Sequence, residues 1–394
     1  MNISKVSTTL CTGCMACVYS CPINCITINI NDEGFYFPSI DIDKCVDCER
    51  CLTKCGANRV QNVNRKPLTV LSAYRLNSKL IMRSSSGGIA SLIAEWVLTN
   101  GGVIYGAIMD SNMYVKHCRI NSFDNIDALR GSKYVQSDFS LVYKTIIKDC
   151  ESEKWVAVFG TPCQLYGVQQ YLGKYYDNLI LIDLICHGVP SPGLFDKYID
   201  WKEKTMGDGK IMDYRFRDKG LYGWDTVYKI STSNRVETAE ATQDPYYFAF
   251  IYAKTYRECC YKCCFSNIDR VGDVTLGDFW GVEEDLNYNG NIAQGVSAVL
   301  CNTETGRKII ENIADGMRGI ETTIEKVVKK NSNLIKASVR PAIRDEFYKN
   351  VNKYGFGWAY RNMKFDLYYY QEKVKRKIPK RMKTRLKKIL KSRG

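Results

Sequence analysis

The stretch Cys11-Thr12-Gly13-Cys14-Met15-Ala16-Cys17-Val18-Tyr19-Ser20-Cys21-Pro22 is answered further along by Cys45-Val46-Asp47-Cys48-Glu49-Arg50-Cys51-Leu52-Thr53-Lys54-Cys55-Gly56. Both runs read Cys-x2-Cys-x2-Cys-x3-Cys. Spacings of three place successive thiolates around one tight loop, where three sulfurs grip three irons of a four-iron cube, while the fourth cysteine reaches the other cube. The pattern therefore predicts crossed ligation: Cys11, Cys14, Cys17 and Cys55 for one [4Fe–4S] cluster, and Cys45, Cys48, Cys51 and Cys21 for the second. Ile26–Ile30 and Phe35–Ile40 read as strands joined by the Asn31-Asp32-Glu33-Gly34 turn. Four-coordinate zinc usually takes paired Cys-x2-Cys units with a longer separation. Cys25 falls outside the ligand set and reads as packing.

This duplicated run resembles bacterial-type ferredoxins with two clusters. Gly56 stands where the second run usually has proline, which removes a rigid element but no ligand. The whole chain supports the same chemistry. It has 394 residues and 18 cysteines, and its first 30 residues show no charged segment followed by an apolar run. Dense cysteine without an export signal points to thiolate–metal chemistry in a reducing cytosol rather than to disulfides.

Three zones separate by composition. Residues 1–63 form an α+β ferredoxin-like domain. Residues 64–345 alternate apolar strand-like runs with helical patterns, which predicts an α/β domain with a mostly parallel sheet. Residues 346–394 turn aromatic and then polybasic. In the middle zone, Ser84-Ser85-Ser86-Gly87-Gly88 opens a helix that runs to about Asn100, and Val103–Met109 follows as a strand. Trp155–Phe159 and Leu179–Ile185 read as buried strands, each followed by a cysteine-bearing loop. Asp273–Leu276 and Val296–Cys301 read as two more.

Five segments of this zone carry a second resemblance. They are Arg83–Gly88, Gly131-Ser132-Lys133-Tyr134-Val135-Gln136-Ser137, Gly160-Thr161-Pro162-Cys163-Gln164, Ile185-Cys186-His187-Gly188-Val189-Pro190 and Leu276-Gly277-Asp278-Phe279-Trp280-Gly281. In this order they resemble the coenzyme F-420 hydrogenase/dehydrogenase beta-subunit family, over roughly residues 70–345. The resemblance implies an α/β domain that binds FAD, holds a [4Fe–4S] cluster and moves electrons between the cluster and a hydride carrier at the flavin. Many bacterial members carry a fused ferredoxin domain and resemble proteins encoded beside surface-polysaccharide genes.

The residues bear on this independently. Cys163 and Cys186 both follow the carboxyl ends of strands expected to be parallel, the edge where open α/β sheets bind ligands. The family pattern adds the pair matching Cys260 and Cys263, giving Cys163, Cys186, Cys260 and Cys263 as ligands of a third [4Fe–4S] cluster. A register through Cys259 and Cys264, or four unrelated buried thiols, stays open. Cys118, Cys150 and Cys301 lie in ordinary strand or helix patterns and read as core.

For the flavin, Ser84, Ser85, Ser86, Gly87 and Gly88 form the best phosphate cradle, because small residues and a helix N-terminus favour an anion. A plain helix cap would look the same. Gly160 and Thr161 join the cofactor-binding set. Lys133 would hold a phosphate or steady a reduced, anionic flavin, with a solvated lysine as the bland alternative. His187 follows a cluster ligand and is a candidate for proton transfer. Asp278 is a comparable candidate, with turn stabilisation as its alternative. His117, in a strand pattern, reads as structural. No G-x-G-x-x-G follows a strand, so a standard NAD site is not indicated.

The net charge of +14 is uneven: Lys373–Arg393 holds 12 Lys or Arg and no acid. A general nucleic-acid face is therefore not implied. Ile378, Met382, Leu386, Ile389 and Leu390 form one apolar stripe among these cations, so residues 373–393 are expected to lie on an anionic membrane surface, with docking to an acidic partner as the alternative.

The leading expectation is a cytoplasmic iron–sulfur flavoprotein oxidoreductase, in peripheral contact with the inner face of the membrane. Ferredoxin or another low-potential donor would supply electrons. The hydride partner would be coenzyme F-420 or a glycan-precursor small molecule, in surface polysaccharide biosynthesis. One competing expectation is an electron-relay subunit of a larger dehydrogenase or hydrogenase. Another is a membrane-associated scaffold with structural clusters.

Overall fold

The computed structural model describes residues 1–57, 65–285 and 288–363. The boundary expected at residue 63 and the basic segment 373–393 lie outside these residues. Among the described residues, no helix is long and apolar enough to cross a membrane.

The N-terminal unit is a two-stranded antiparallel ribbon, β1 (Ile26–Ile30) and β2 (Tyr36–Ile40), between two cysteine loops. Each loop ends in a one-turn helix, Ala16–Tyr19 and Arg50–Thr53. The loops repeat one backbone course: Gly13 and Met15 have positive φ in the first, Asp47 and Glu49 in the second. The internal duplication of the sequence is thus a duplication of backbone twist.

The main body is built on eight strands of one sheet. Five come first: β3 (Thr69–Arg75), β4 (Val103–Met109), β5 (Val115–Ile120), β6 (Val156–Gly160) and β7 (Leu179–Leu184). An insertion follows, a small antiparallel sheet of β8 (Asp213–Arg215), β9 (Val227–Ser231) and β10 (Val236–Glu240). The large sheet is completed by β11 (Val274–Asp278), β12 (Ser297–Cys301) and β13 (Met317–Glu321). Its order is β13-β3-β12-β11-β7-β6-β4-β5. The central strands β4, β6, β7 and β11 pair in parallel. Outside them, β5 on one side and β12, β3 and β13 on the other run antiparallel to their neighbours. The sheet is therefore mixed, with its parallel character confined to the centre.

Alternation along the central strands builds two cores. Val156 and Val158 of β6 and Leu179 and Leu181 of β7 face the helices Tyr143–Cys150 and Pro162–Leu172. Ala157, Ile180 and Ile182 point the other way, towards the helices Ile89–Thr99 and Glu304–Asn312. Both faces are covered, which is why these strands read as continuous apolar runs. A third core is aromatic: Phe195, Tyr198, Phe216, Tyr246 and Phe250 join the small sheet to helices from Pro192 onward.

The N-terminal unit docks on this body at several places. The β1–β2 turn meets the start of the helix Pro192–Met206: Gly193 N–H donates to Gly34 O (3.2 Å), and a Cβ on Gly34 would lie 2.6 Å from the Gly193 Cα. Glu33 in the same turn takes both Arg344 guanidinium nitrogens, at 2.8 and 2.7 Å. A second contact is at the first cysteine loop.

Candidate functional site

The carboxyl ends of β4, β6, β7 and β11 open into one cavity of about 710 Å³, within the size range of cofactor pockets. Ser84–Ser86, Lys133, Gly160, Thr161, Cys163, Cys186, His187, Cys260, Cys263 and Asp278 all line it. Segments far apart in the chain thus line one cavity.

The helix Pro162–Leu172 begins right after β6. Thr161 and Gln164 form its capping box, and Pro162 occupies its first turn, so Cys163 is fixed at its N-terminus. Cys186 leaves β7 one strand over. Cys260 and Cys263 come from the short turn Glu258–Lys262. The four thiols gather. Burial first, then the proximity of Cys186 and Cys263, pushes Cys163 well above the ordinary thiol range. Burial and then Cys260 and Cys263 push Cys186 up to about 12. Cys260 is raised first by its hydrogen bond with Cys259 and then by burial. Crowded, water-poor thiols resist ionising one by one, and a bound cationic metal reverses that. No three His, Cys, Asp or Glu among the described residues converge closely enough for a single ion, whereas a cluster distributes its thiolates over several irons.

In the N-terminal unit, burial raises Cys17 first, followed by Cys14, Cys11 and then Cys55 from the other run. Cys21, Cys45, Cys48 and Cys51 line a second, smaller void. Both loops take left-handed backbone at alternate residues, Gly13 and Met15 in one and Asp47 and Glu49 in the other, the kind of turn from which anion-binding concavities are built. Cys25 is buried, its sulfur 3.5 Å from that of Cys21. All 18 cysteines are outside disulfides. Cys150 and Cys301 are buried in the sheet cores.

At the cavity's other end, Gly87 lies so close to β3 that a Cβ would strike the Ala73 carbonyl. Its N–H donates to Ser297 Oγ (3.0 Å). Ser85 Oγ accepts from the Ser132 N–H (2.7 Å), which ties the two small-residue loops together. Gly88, at φ 84°, turns the chain into the helix Ile89–Thr99, whose N-terminus has no side-chain cap. Its leading N–H groups therefore remain available to an anion. Lys133 lines the wall, donating to the Ala128 (2.8 Å) and Arg130 (3.1 Å) carbonyls; burial lowers it to about 7.

Asp278 is fully engaged: Arg217 Nη1 donates to it at 2.7 Å and Trp224 Nε1 at 2.8 Å. It ends β11 rather than lying in a turn, and from there it holds Arg217 and Trp224. His187 lines the cavity and is exposed to its open space; crowding by surrounding protein lowers its pKa against the pull of Asp278. His117 is buried and donates through Nε2 to the Phe159 carbonyl at 2.8 Å, a core role.

Spacing gave no sign of several charged residues around the cavity. Arg217 also donates to Ser85 O at 3.0 Å, and Lys219 to the Ile81, Ser86 and Gln294 carbonyls at 2.9, 2.6 and 2.5 Å. Both hold the serine loop. Arg130 shares Glu95 with Arg75 and keeps Nη1 buried without a partner among the described residues. The alternation Arg215-Phe216-Arg217-Asp218-Lys219 is a weak signal, because it looks like any strand edge.

Residues 153–326 match the family described as the C terminus of the coenzyme F420 hydrogenase/dehydrogenase beta subunit. Residues 10–58 match the 4Fe-4S dicluster domain. The chain thus joins a segment similar to the C terminus of that beta subunit to a dicluster domain nearer its N-terminus. An electron-transfer oxidoreductase bearing 4Fe–4S clusters follows from the two matches together. No curated protein matches the chain. Among solved structures, a chain of the F420-reducing [NiFe] hydrogenase complex from Methanosarcina barkeri is 18% identical, with a TM-score of 0.44. The match covers 77% of this chain and 93% of that one, a likeness too loose to transfer roles residue by residue. The family match begins at residue 153, beyond Ser84–Gly88 and Lys133, so those positions stand on the cavity geometry alone.

Proposed function

We propose that this protein passes single electrons from its dicluster domain, through a third [4Fe–4S] cluster held by Cys163, Cys186, Cys260 and Cys263, to an FAD in the same cavity. Cys11, Cys14, Cys17 and Cys55 are the ligands of the inner N-terminal cluster, and Cys45, Cys48, Cys51 and Cys21 those of the outer one. The observation that carries the reading is the convergence of four thiols from three separate segments on one wall of a cavity large enough for a dinucleotide.

When bound, the clusters supply one-electron steps and the flavin supplies hydride exchange with a substrate. The protein's own residues do the rest. The uncapped N-terminus of Ile89–Thr99, with Arg130 and Lys133 nearby, favours the flavin's phosphates. Arg217 and Lys219 fix the serine loop against that helix. His187 stands at the cluster wall of the cavity, placed to hold or release a proton. The hydride partner is coenzyme F420 or a glycan precursor such as a nucleotide- or lipid-linked sugar, and the electron donor is ferredoxin or a similar low-potential carrier.

The test is an anaerobic reduction by a low-potential one-electron donor, followed through the flavin absorbance. The flavin should bleach after the clusters, and one of the offered partners should restore its colour. Clusters that reduce while the flavin stays oxidised overturn the electron route. Silence with every sugar precursor removes that substrate class.

A further inference from the structure

Arg257 is a fully buried guanidinium, 1% exposed, with no carboxylate partner among the described residues. The other buried arginines all have one: Arg217 pairs with Asp278, Arg270 with Asp183, Arg344 with Glu33, and Arg75 and Arg130 with Glu95. Arg257 is instead wrapped around the first cysteine loop. Its Nε donates to Cys11 O (2.7 Å), Nη2 to Tyr36 O (2.9 Å) and Nη1 to Gln136 Oε1 (3.1 Å). Nη2 also lies 3.6 Å from Cys11 Sγ, and the ring of Phe37 closes the guanidinium face at 4.1 Å. A buried cation is costly unless an anion faces it. The anion available here is the thiolate-bound cluster of that loop, whose net charge is negative.

The second loop has the same backbone and opposite surroundings. Where Gly13 is pressed by Gln136 and Arg257, Asp47 holds the matching position and is exposed. Cys45 Sγ accepts from the Asp47 N–H at 3.4 Å. The Asp47 and Glu49 carboxylates stand beside this loop, and Cys48 is exposed.

We infer that Arg257 is the built-in counter-cation of the inner cluster and sets its potential above that of the outer one, so that electrons in the dicluster domain come to rest on the cluster beside the catalytic cavity. A nearby cation stabilises the reduced, more negative state, and charge and hydrogen bonds at the sulfurs are among the levers that set such potentials. This rests on the ligand grouping proposed above.

The experiment is a redox titration of anaerobically prepared protein, followed by electron paramagnetic resonance, on the wild type, Arg257→Gln, Arg257→Lys and Asp47→Asn. In Arg257→Gln, one dicluster wave should fall by at least tenfold in its reduced-to-oxidised ratio at fixed potential, about 59 mV for one electron. Arg257→Lys, which keeps the charge, should fall by less. Asp47→Asn should raise the other wave and narrow the gap. Unmoved waves, equal shifts of both waves in Arg257→Gln, or equal falls in the Gln and Lys variants overturn the inference. If Arg257→Gln does not assemble, Arg257→Lys and Asp47→Asn decide it: they must move different waves. Failure of the ligand grouping would look different, as missing cluster signals rather than unshifted ones.

Discussion

Gly167 lies against Cys14: a Cβ on this glycine would sit 3.1 Å from the Cys14 sulfur and 2.8 Å from the Tyr143 hydroxyl. Gly167 is one helical turn after Cys163 on the same face of the helix Pro162–Leu172. A single turn of helix, about 6 Å over four residues, therefore separates Cys163, a thiol of the proposed third site, from the glycine that packs on Cys14, a proposed ligand of the inner cluster.

Gly167→Val should push the first cysteine loop away from this helix. Overpacking of this kind costs about 1–3 kcal/mol, and the inner cluster should be lost preferentially. Iron per chain should fall by about four, and the signal of one dicluster centre should disappear.

Cys186→Ser should remove about four irons as well, but from the third site, leaving both dicluster signals in place. Cys150→Ser and Cys301→Ser, at buried positions in the sheet cores, should leave the iron content unchanged. Parallel iron and sulfide assays on the three variants separate ligand from core.

How much of this was legible in the sequence depended on local pattern. The two cysteine loops, the strand pair between them and the runs Val103–Met109 and Leu179–Ile185 follow from spacing and apolar continuity, and the structure has them within a residue or so. The flanking strands β3 and β13 are not legible because they pair across more than 200 residues, and the small sheet β8 to β10 because its strands are only three to five residues long. The charged groups at the site were also missed. Arg257 and Lys219 owe their importance to backbone carbonyls brought close only by folding, and no periodicity encodes that.

Arg130→Met should weaken flavin binding. Hydrogen bonds to charged groups contribute about 1.5–3 kcal/mol, so a loss of roughly tenfold or more in affinity is expected from titration of flavin-stripped protein with FAD. Weakening should be greater for FAD than for riboflavin, which has no phosphate to respond.

Lys133 gives a pH signature. Burial holds its native pKa at about 7, against roughly 10.4 in an unfolded chain. Between these values the unfolded state carries a proton that the native state has released, so this group makes stability rise with pH from about 7 to about 10. Below 7 its charge is buried and the penalty is complete. Lys133→Met should flatten that slope in thermal unfolding measured across this range.

Glu33→Ala tests the docking of the N-terminal unit. Arg344 is buried and makes a bidentate pair with Glu33, with Asp345 at 3.2 Å and Glu258 at 3.7 Å beside it. Those two carboxylates still face Arg344 when Glu33 is removed, so the loss should stay below the ~3–5 kcal/mol of a broken isolated buried pair. The melting temperature should fall, and reduction of the third centre through the dicluster domain should slow.

The most direct measurement is a count of iron and flavin in protein purified without oxygen. Three four-iron clusters and one flavin site require about 12 Fe and one flavin per chain. About 8 Fe with no flavin would leave only the dicluster domain and contradict the shared cavity as the place where electrons become hydride.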